Sequence, residues 1–263
     1  MAKWPVFPTS AHQSAAWLVR EFFVARAPVD TVLVVNSCAR GTATRESDLD
    51  VAILVEASMT LAERQTLKAG WRAFAEGHPV VAKLQACGPF ARLHVGIFNG
   101  EFVPRRWDDG GGPDTFEIEI GNRVAHAVPL ESAGPLFREL QAAWLPYYQD
   151  DVRAERLQMV REACADDLAR VAAYVERRLH FQAFDRLVKA LQEFLQALFI
   201  ARRVYPVAYN KWIREQVVEW LGLPELYCEL PAILTVANLE SDELAERARR
   251  LGVLLDGWAV PRE

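Results

Sequence analysis

The run Leu49-Asp50-Val51-Ala52-Ile53-Leu54-Val55 constrains the fold most, because it sets a carboxylate inside an otherwise apolar stretch that reads as a buried strand. An ionised carboxylate in such surroundings is costly unless something pairs with it. A second acid, Asp48, stands two positions earlier. Residues two apart on a strand project to the same face with Cα atoms about 6.6 Å apart, so Asp48 and Asp50 are aimed at one place. Upstream, Thr31-Val32-Leu33-Val34-Val35 reads as a central strand, and a small, polar connector from Asn36 to Ser47 joins the two.

Two neighbouring carboxylates repel each other, whereas a hard divalent cation such as Mg²⁺ satisfies both and can also hold phosphate oxygens. The connector offers the other half of a phosphate site. Ser37 follows closely on the first strand, Gly41 allows an unusual backbone angle, and Arg40 or Arg45 can balance phosphate charge. Each part also has a plainer reading: Asp-x-Asp is common, Arg40 can be a surface cation, and Ser37 and Ser47 can cap a short helix.

Around this centre, the apolar spacing predicts a helix over 12–25, broken by Pro28. A second helix is expected over 60–75, with Thr60 and Glu63 forming a capping box and Gly77 and Pro79 ending it. Strand-like stretches follow at 80–86, 92–98 and 115–120, the last two separated by a loop containing Asp108 to Pro113. Beyond about Glu131 the composition turns to Ala, Leu, Arg, Glu and Gln, with long helices expected over 152–179 and 181–203. The expected fold class is α+β: a small mixed-sheet catalytic domain over 1–135, then an all-α helical bundle domain over 136–263.

The paired segments Asn36-Ser37-Cys38-Ala39-Arg40-Gly41 and Ser47-Asp48-Leu49-Asp50-Val51 resemble the signature of the polymerase-β-like nucleotidyltransferase superfamily. There, Gly-Ser closes one strand and a Ser-Asp-hydrophobic-Asp-hydrophobic run opens the next. Asn36 stands where that family usually has Gly, and Asn also tolerates left-handed backbone angles. The resemblance implies a third carboxylate on a later strand, for which Phe116-Glu117-Ile118-Glu119-Ile120 offers two acids on one face. It further implies two Mg²⁺ ions held by Asp48, Asp50 and Glu117, a nucleoside triphosphate co-substrate, ATP first among them, and contacts to that nucleotide from Ser37, Arg40 and Ser47. Whichever of Glu117 and Glu119 does not bind metal is a candidate general base. An isolated Glu-x-Glu is also what a half-exposed edge strand looks like.

In the second half, Tyr209-Asn210-Lys211-Trp212 concentrates an amide, a cation and two aromatics just after the helix stop at Pro206. This stretch resembles the helical domain appended to antibiotic nucleotidyltransferases. Lys211 then either reaches a nucleotide phosphate or lies on the surface against Trp212. The reaction implied is transfer of a nucleoside monophosphate, AMP from ATP, to a hydroxyl of a small molecule, with antibiotics as one class. A protein acceptor, as for antitoxin-type adenylyltransferases, and a non-catalytic nucleotide-sensing module are the alternatives.

Other classes lose support. The formal net charge of -5 argues against unspecific capture of nucleic acid. The cysteines Cys38, Cys87, Cys164 and Cys228 show no C-x-x-C spacing and read as reduced thiols. The histidines show no H-x-x-x-H or H-E-x-x-H pattern, and neither a G-x-S-x-G nor a P-loop sequence occurs. Pro5 and Pro8 interrupt any signal-peptide core and no run reaches membrane-spanning length, so a cytoplasmic protein without membrane partners is expected.

Overall fold

The computed structural model describes residues 4–104 and 111–261. Contacts divide the chain into two compact units, Met1–Phe102 with Glu119–Leu145, and Val103–Ile118 with Pro146–Glu263. The Asp108 to Gly110 part of the expected loop lies outside the described residues.

In the first unit, α1 (Ser10–Val24) starts on Thr9, whose hydroxyl accepts from the His12 amide, and buries Ala15, Ala16, Val19, Phe22 and Phe23. That spacing is the 3.6-residue repeat read in the sequence. The strands β1 (Val29–Val34) and β2 (Leu49–Val55) pair antiparallel, with Val34 opposite Val51. They are joined by a five-residue helix α2 (Asn36–Arg40). Next comes α3 (Leu61–Ala75), which carries the capping box of Thr60 and Glu63 as expected. Its Trp71 packs edge-on against Phe22. The strand β3 (Leu93–Phe98) lies parallel to β2, with His94 opposite Asp50. Among the described residues the sheet order is β3-β2-β1-β4, with β4 (Val128–Pro129) antiparallel to β1. The sheet is mixed, and β1 and β2 are its interior strands, which is why their residues are almost all buried.

Two expected strands are helices. Residues expected as a strand over 80–86 form α4 (Pro79–Gln85): Pro79 takes the first helical position, where its missing N–H costs nothing, and the His78 ring accepts from the Val80 amide. Local capping outweighs the β preference of two consecutive valines. Residues expected as a strand over 115–120 form α5 (Phe116–Ile120), which runs on into a π-helical turn, Gly121–Ala125. The buried positions are 116, 117, 120, 121 and 124, a helical repeat rather than an alternation. Asp114 accepts from the Phe116 amide at 3.3 Å and supports the turn into the helix.

The unit closes with α6 (Pro135–Trp144), whose N-cap residue is Gly134 and has no side chain to cap with. The cap comes instead from β1. Asp30 accepts from the amides of Leu136 at 2.9 Å and Phe137 at 3.0 Å, and the Thr31 hydroxyl accepts from Gly134. A Cβ on residue 134 would lie 2.3 Å from the Asp30 carboxylate, so Gly134 is required by space.

The second unit is helical, as expected. The helices α7 (Asp150–Glu176) and α8 (His180–Arg202) carry a common apolar core. It includes Leu187, Leu191, Leu195, Leu198 and Phe199 of α8. After a π-helical turn at Glu215–Trp220, α9 (Pro224–Ile233) and α10 (Glu243–Trp258) complete it. Among the described residues, no helix is long and apolar enough to cross a membrane.

The remote cap of α6 yields a direct test. Replacing Asp30 by Ala leaves the amides of Leu136 and Phe137 unpaired and is expected to cost about 1–2 kcal/mol. Urea unfolding followed by circular dichroism should show a lower midpoint for Asp30→Ala, and an unchanged midpoint would refute the cap.

Candidate active site

The chain leaves β1 and reverses at once. Asn36 takes a left-handed φ of 56°, and Gly41 does so again at 78°. Asn is one of the few residues with a side chain that visits this region readily. Between them α2 forms one tight turn, with the amides of Gly41 and Thr42 both donating to the Ser37 carbonyl. The Val35 amide donates to the Asp50 carbonyl, and the Cys38 carbonyl accepts from Val6. These bonds hold the turn against the start of β2, with Ser37 and Arg40 half-buried on it.

Asp48 and Asp50 open β2 on either side of Leu49, whose amide donates to the Arg92 carbonyl at 2.8 Å. Asp48 is 51% exposed and its Oδ2 lies 3.6 Å from Nε2 of His94, an ion-pair distance rather than a hydrogen bond. Asp50 is half-buried. The Cys38 thiol reports on both: burial, then the charge of Asp50, then that of Asp48, push it up to about 12. The two carboxylates therefore bear on the α2 turn as well as on β3. Ser47, expected to contact nucleotide, uses its hydroxyl to accept from the Thr44 amide, and its own amide donates back to the Thr44 carbonyl.

Asp48 and Asp50 are hard oxygen donors at the solvent-facing head of a strand, a chemistry that fits a divalent cation. The resemblance implies Glu117 or Glu119 as the third donor. Among the described residues, no group of three or more His, Cys, Asp or Glu side chains is gathered as a metal site.

Glu117 has its own partners. It sits on α5 rather than on a strand, in the second unit, and is fully buried. Its Oε1 accepts from Nε of Arg156 at 2.6 Å and from the Tyr148 hydroxyl at 2.9 Å, and its Oε2 accepts from Arg156 at 3.0 Å and from Gln196 at 2.7 Å. Burial, and then the Glu117 charge, hold the Tyr148 hydroxyl well above its ordinary range, so it stays a donor. The carboxylate is thus saturated by protein donors. Glu119 falls in the first unit and pairs with Arg123 at 3.3 Å. Arg123 in turn lies over the Phe98 ring, at the end of β3 opposite His94. On a helix, residues two apart point about 200° away from each other, so the two glutamates do not share a face as they would on a strand.

Lys211 is exposed, in the second unit, on a loop that the buried Gln216 pins by donating to the carbonyls of Ala208 and Lys211. Tyr209 beside it is buried, while Asn210 and Trp212 are exposed. Sequence reading missed His94, His12 and Arg156. Only His94 carried a signal, a polar residue alternating within an apolar strand.

The Glu117 network predicts a stability defect rather than a metal defect. Removing Arg156 leaves a buried carboxylate unpaired, and Arg156→Met is expected to cost about 3–5 kcal/mol by chemical denaturation. A smaller loss in Arg156→Met with Glu117→Gln would confirm the pairing, and equal losses would count against it. For Cys38, a value near 12 leaves about one thiol in ten thousand ionised at pH 8. In the folded protein iodoacetamide should label the exposed Cys228 while sparing Cys38, as read by peptide mass spectrometry; comparable labelling of both would contradict the burial.

Comparison with curated proteins returns no match to this chain. Residues 18–87 match the family model described as a nucleotidyltransferase domain. That stretch runs from within α1 to just beyond α4 and contains Ser37, Arg40, Ser47, Asp48 and Asp50, but not Glu117, Glu119 or Lys211. Residues 18–87 form a nucleotidyltransferase domain consistent with the polymerase-β-like superfamily, and that domain supports a transferase activity.

Proposed function

We propose that this nucleotidyltransferase is Mg²⁺-dependent and moves AMP from ATP to a hydroxyl of a small molecule, with aminoglycoside-like and lincosamide-like antibiotics the first acceptors to try. The observation that carries the proposal is the pair Asp48 and Asp50 at the head of β2, with both charges felt at Cys38 in the α2 turn. In the transfer, the acceptor oxygen forms a bond to the α-phosphorus as the bond to pyrophosphate breaks, and the hydroxyl proton leaves to solvent or a base. A bound cation supplies charge neutralisation on the phosphate oxygens. Asp48 and Asp50 would hold it, and the backbone amides of the α2 turn, with the Arg40 cation, are the groups proposed to meet phosphate oxygen.

The acceptor class rests on the second unit, which has its own apolar core and so can offer a separate binding surface. Labelled ATP, GTP, CTP and UTP should be incubated with the protein, Mg²⁺, an antibiotic panel and cell lysate. A labelled small molecule formed from ATP is the expected product. A labelled protein band would move the assignment to a protein acceptor, and no transfer to anything would refute the proposal. Asp48→Asn and Asp50→Asn should each lower kcat by roughly 1000-fold with little change in Tm, and near-normal turnover in either would sink the assigned roles.

A further inference from the structure

We propose that His12 is a positioning residue for the Asp48 carboxylate, acting through the Ser47 carbonyl. The inference rests on the proposed role of Asp48 in holding the cation. His12 lies on α1, before the stretch that matches the nucleotidyltransferase domain, and is fully buried. A fully buried imidazole needs partners on both ring nitrogens. Nε2 lies 2.9 Å from the Ser47 carbonyl oxygen, and Nδ1 lies 2.7 Å from the Thr9 hydroxyl. A carbonyl only accepts, so Nε2 carries a hydrogen, and in the neutral ring Nδ1 accepts the Thr9 O–H. Thr9 is itself held as the N-cap of α1, accepting from the His12 amide at 3.3 Å. The ring is therefore locked in orientation and tautomer by the start of its own helix.

What it grips matters more than how. The Ser47 carbonyl belongs to the planar peptide whose other end is the Asp48 nitrogen, so holding the oxygen sets the plane from which Asp48 departs. On the other side, the Leu49 amide is held by the Arg92 carbonyl at 2.8 Å. Both peptide groups flanking Asp48 are thus anchored, one by Arg92 just ahead of β3 and one by His12. Within the turn, Thr44 and Ser47 also bond to each other in exposed positions. An aspartate that must meet a cation within a few tenths of an ångström depends on such supporting bonds.

The test compares His12→Gln, whose amide N–H can replace the Nε2–H donor, with His12→Leu, which fills the space and donates nothing. Mn²⁺ binding is read by electron paramagnetic resonance alongside kcat, with folding checked by circular dichroism. His12→Leu should weaken Mn²⁺ binding at least tenfold while His12→Gln stays within about threefold of the unaltered protein. Unchanged binding in His12→Leu, or equal losses in both variants, would overturn the positioning role alone. Should His12→Leu fail to fold, Thr9→Val keeps the ring but removes the hydroxyl that orients it; a threefold or greater loss supports the role and an unchanged affinity overturns it. If the unaltered protein takes up no Mn²⁺, the role of Asp48 falls and the inference falls with it.

Discussion

The antiparallel pairing of β1 with β2 is the constraint on which the candidate site depends. With Val34 opposite Val51, the end of β1 arrives beside the beginning of β2, and the Val35 amide bonds to the Asp50 carbonyl. The connector must therefore turn back within a few residues, which it does through left-handed backbone at Asn36 and Gly41. Everything chemical in the first unit follows from that closeness: the α2 turn lies against the same strand end that carries Asp48 and Asp50. The apolar remainder of β1 and β2 drives the pairing, since these strands are interior and bury nearly every side chain.

The acidic residues of this chain serve two different purposes, separated by solvent. Asp48 is half exposed and lies 3.6 Å from His94, an arrangement that leaves room for a cation. Glu117 is fully buried and answered by four donors from Arg156, Tyr148 and Gln196, an arrangement that leaves none. Asp30 shows a third use, capping α6 across more than a hundred positions of sequence. The same carboxyl group is thus a candidate ligand, a core ion pair or a helix cap according to what surrounds it.

Much of this was legible in the sequence, and the exceptions share a cause. The helices α1, α3, α7 and α8 and the strands β1, β2 and β3 were legible from apolar spacing and from helix-forming or β-branched composition, and the capping box of Thr60 and Glu63 from its spacing. Residues 80–86 and 115–120 read as strands because two valines, and alternating glutamates, imitate a two-residue repeat. What made them helices was capping by His78 and Pro79 in one case and burial along a helical face in the other.

By itself, the sequence determined the strand pair, the Asp48 and Asp50 motif and the presence of a helical second half, because these are local patterns of polarity and backbone preference. Only the tertiary structure decided which distant groups meet: His94 with Asp48 across β2 and β3, His12 with the Ser47 carbonyl, and Arg156 with Glu117. The physical reason is that a carboxylate's role is set by its burial and its partners. Both arise from segments far apart in the chain, where no local repeat records the pairing.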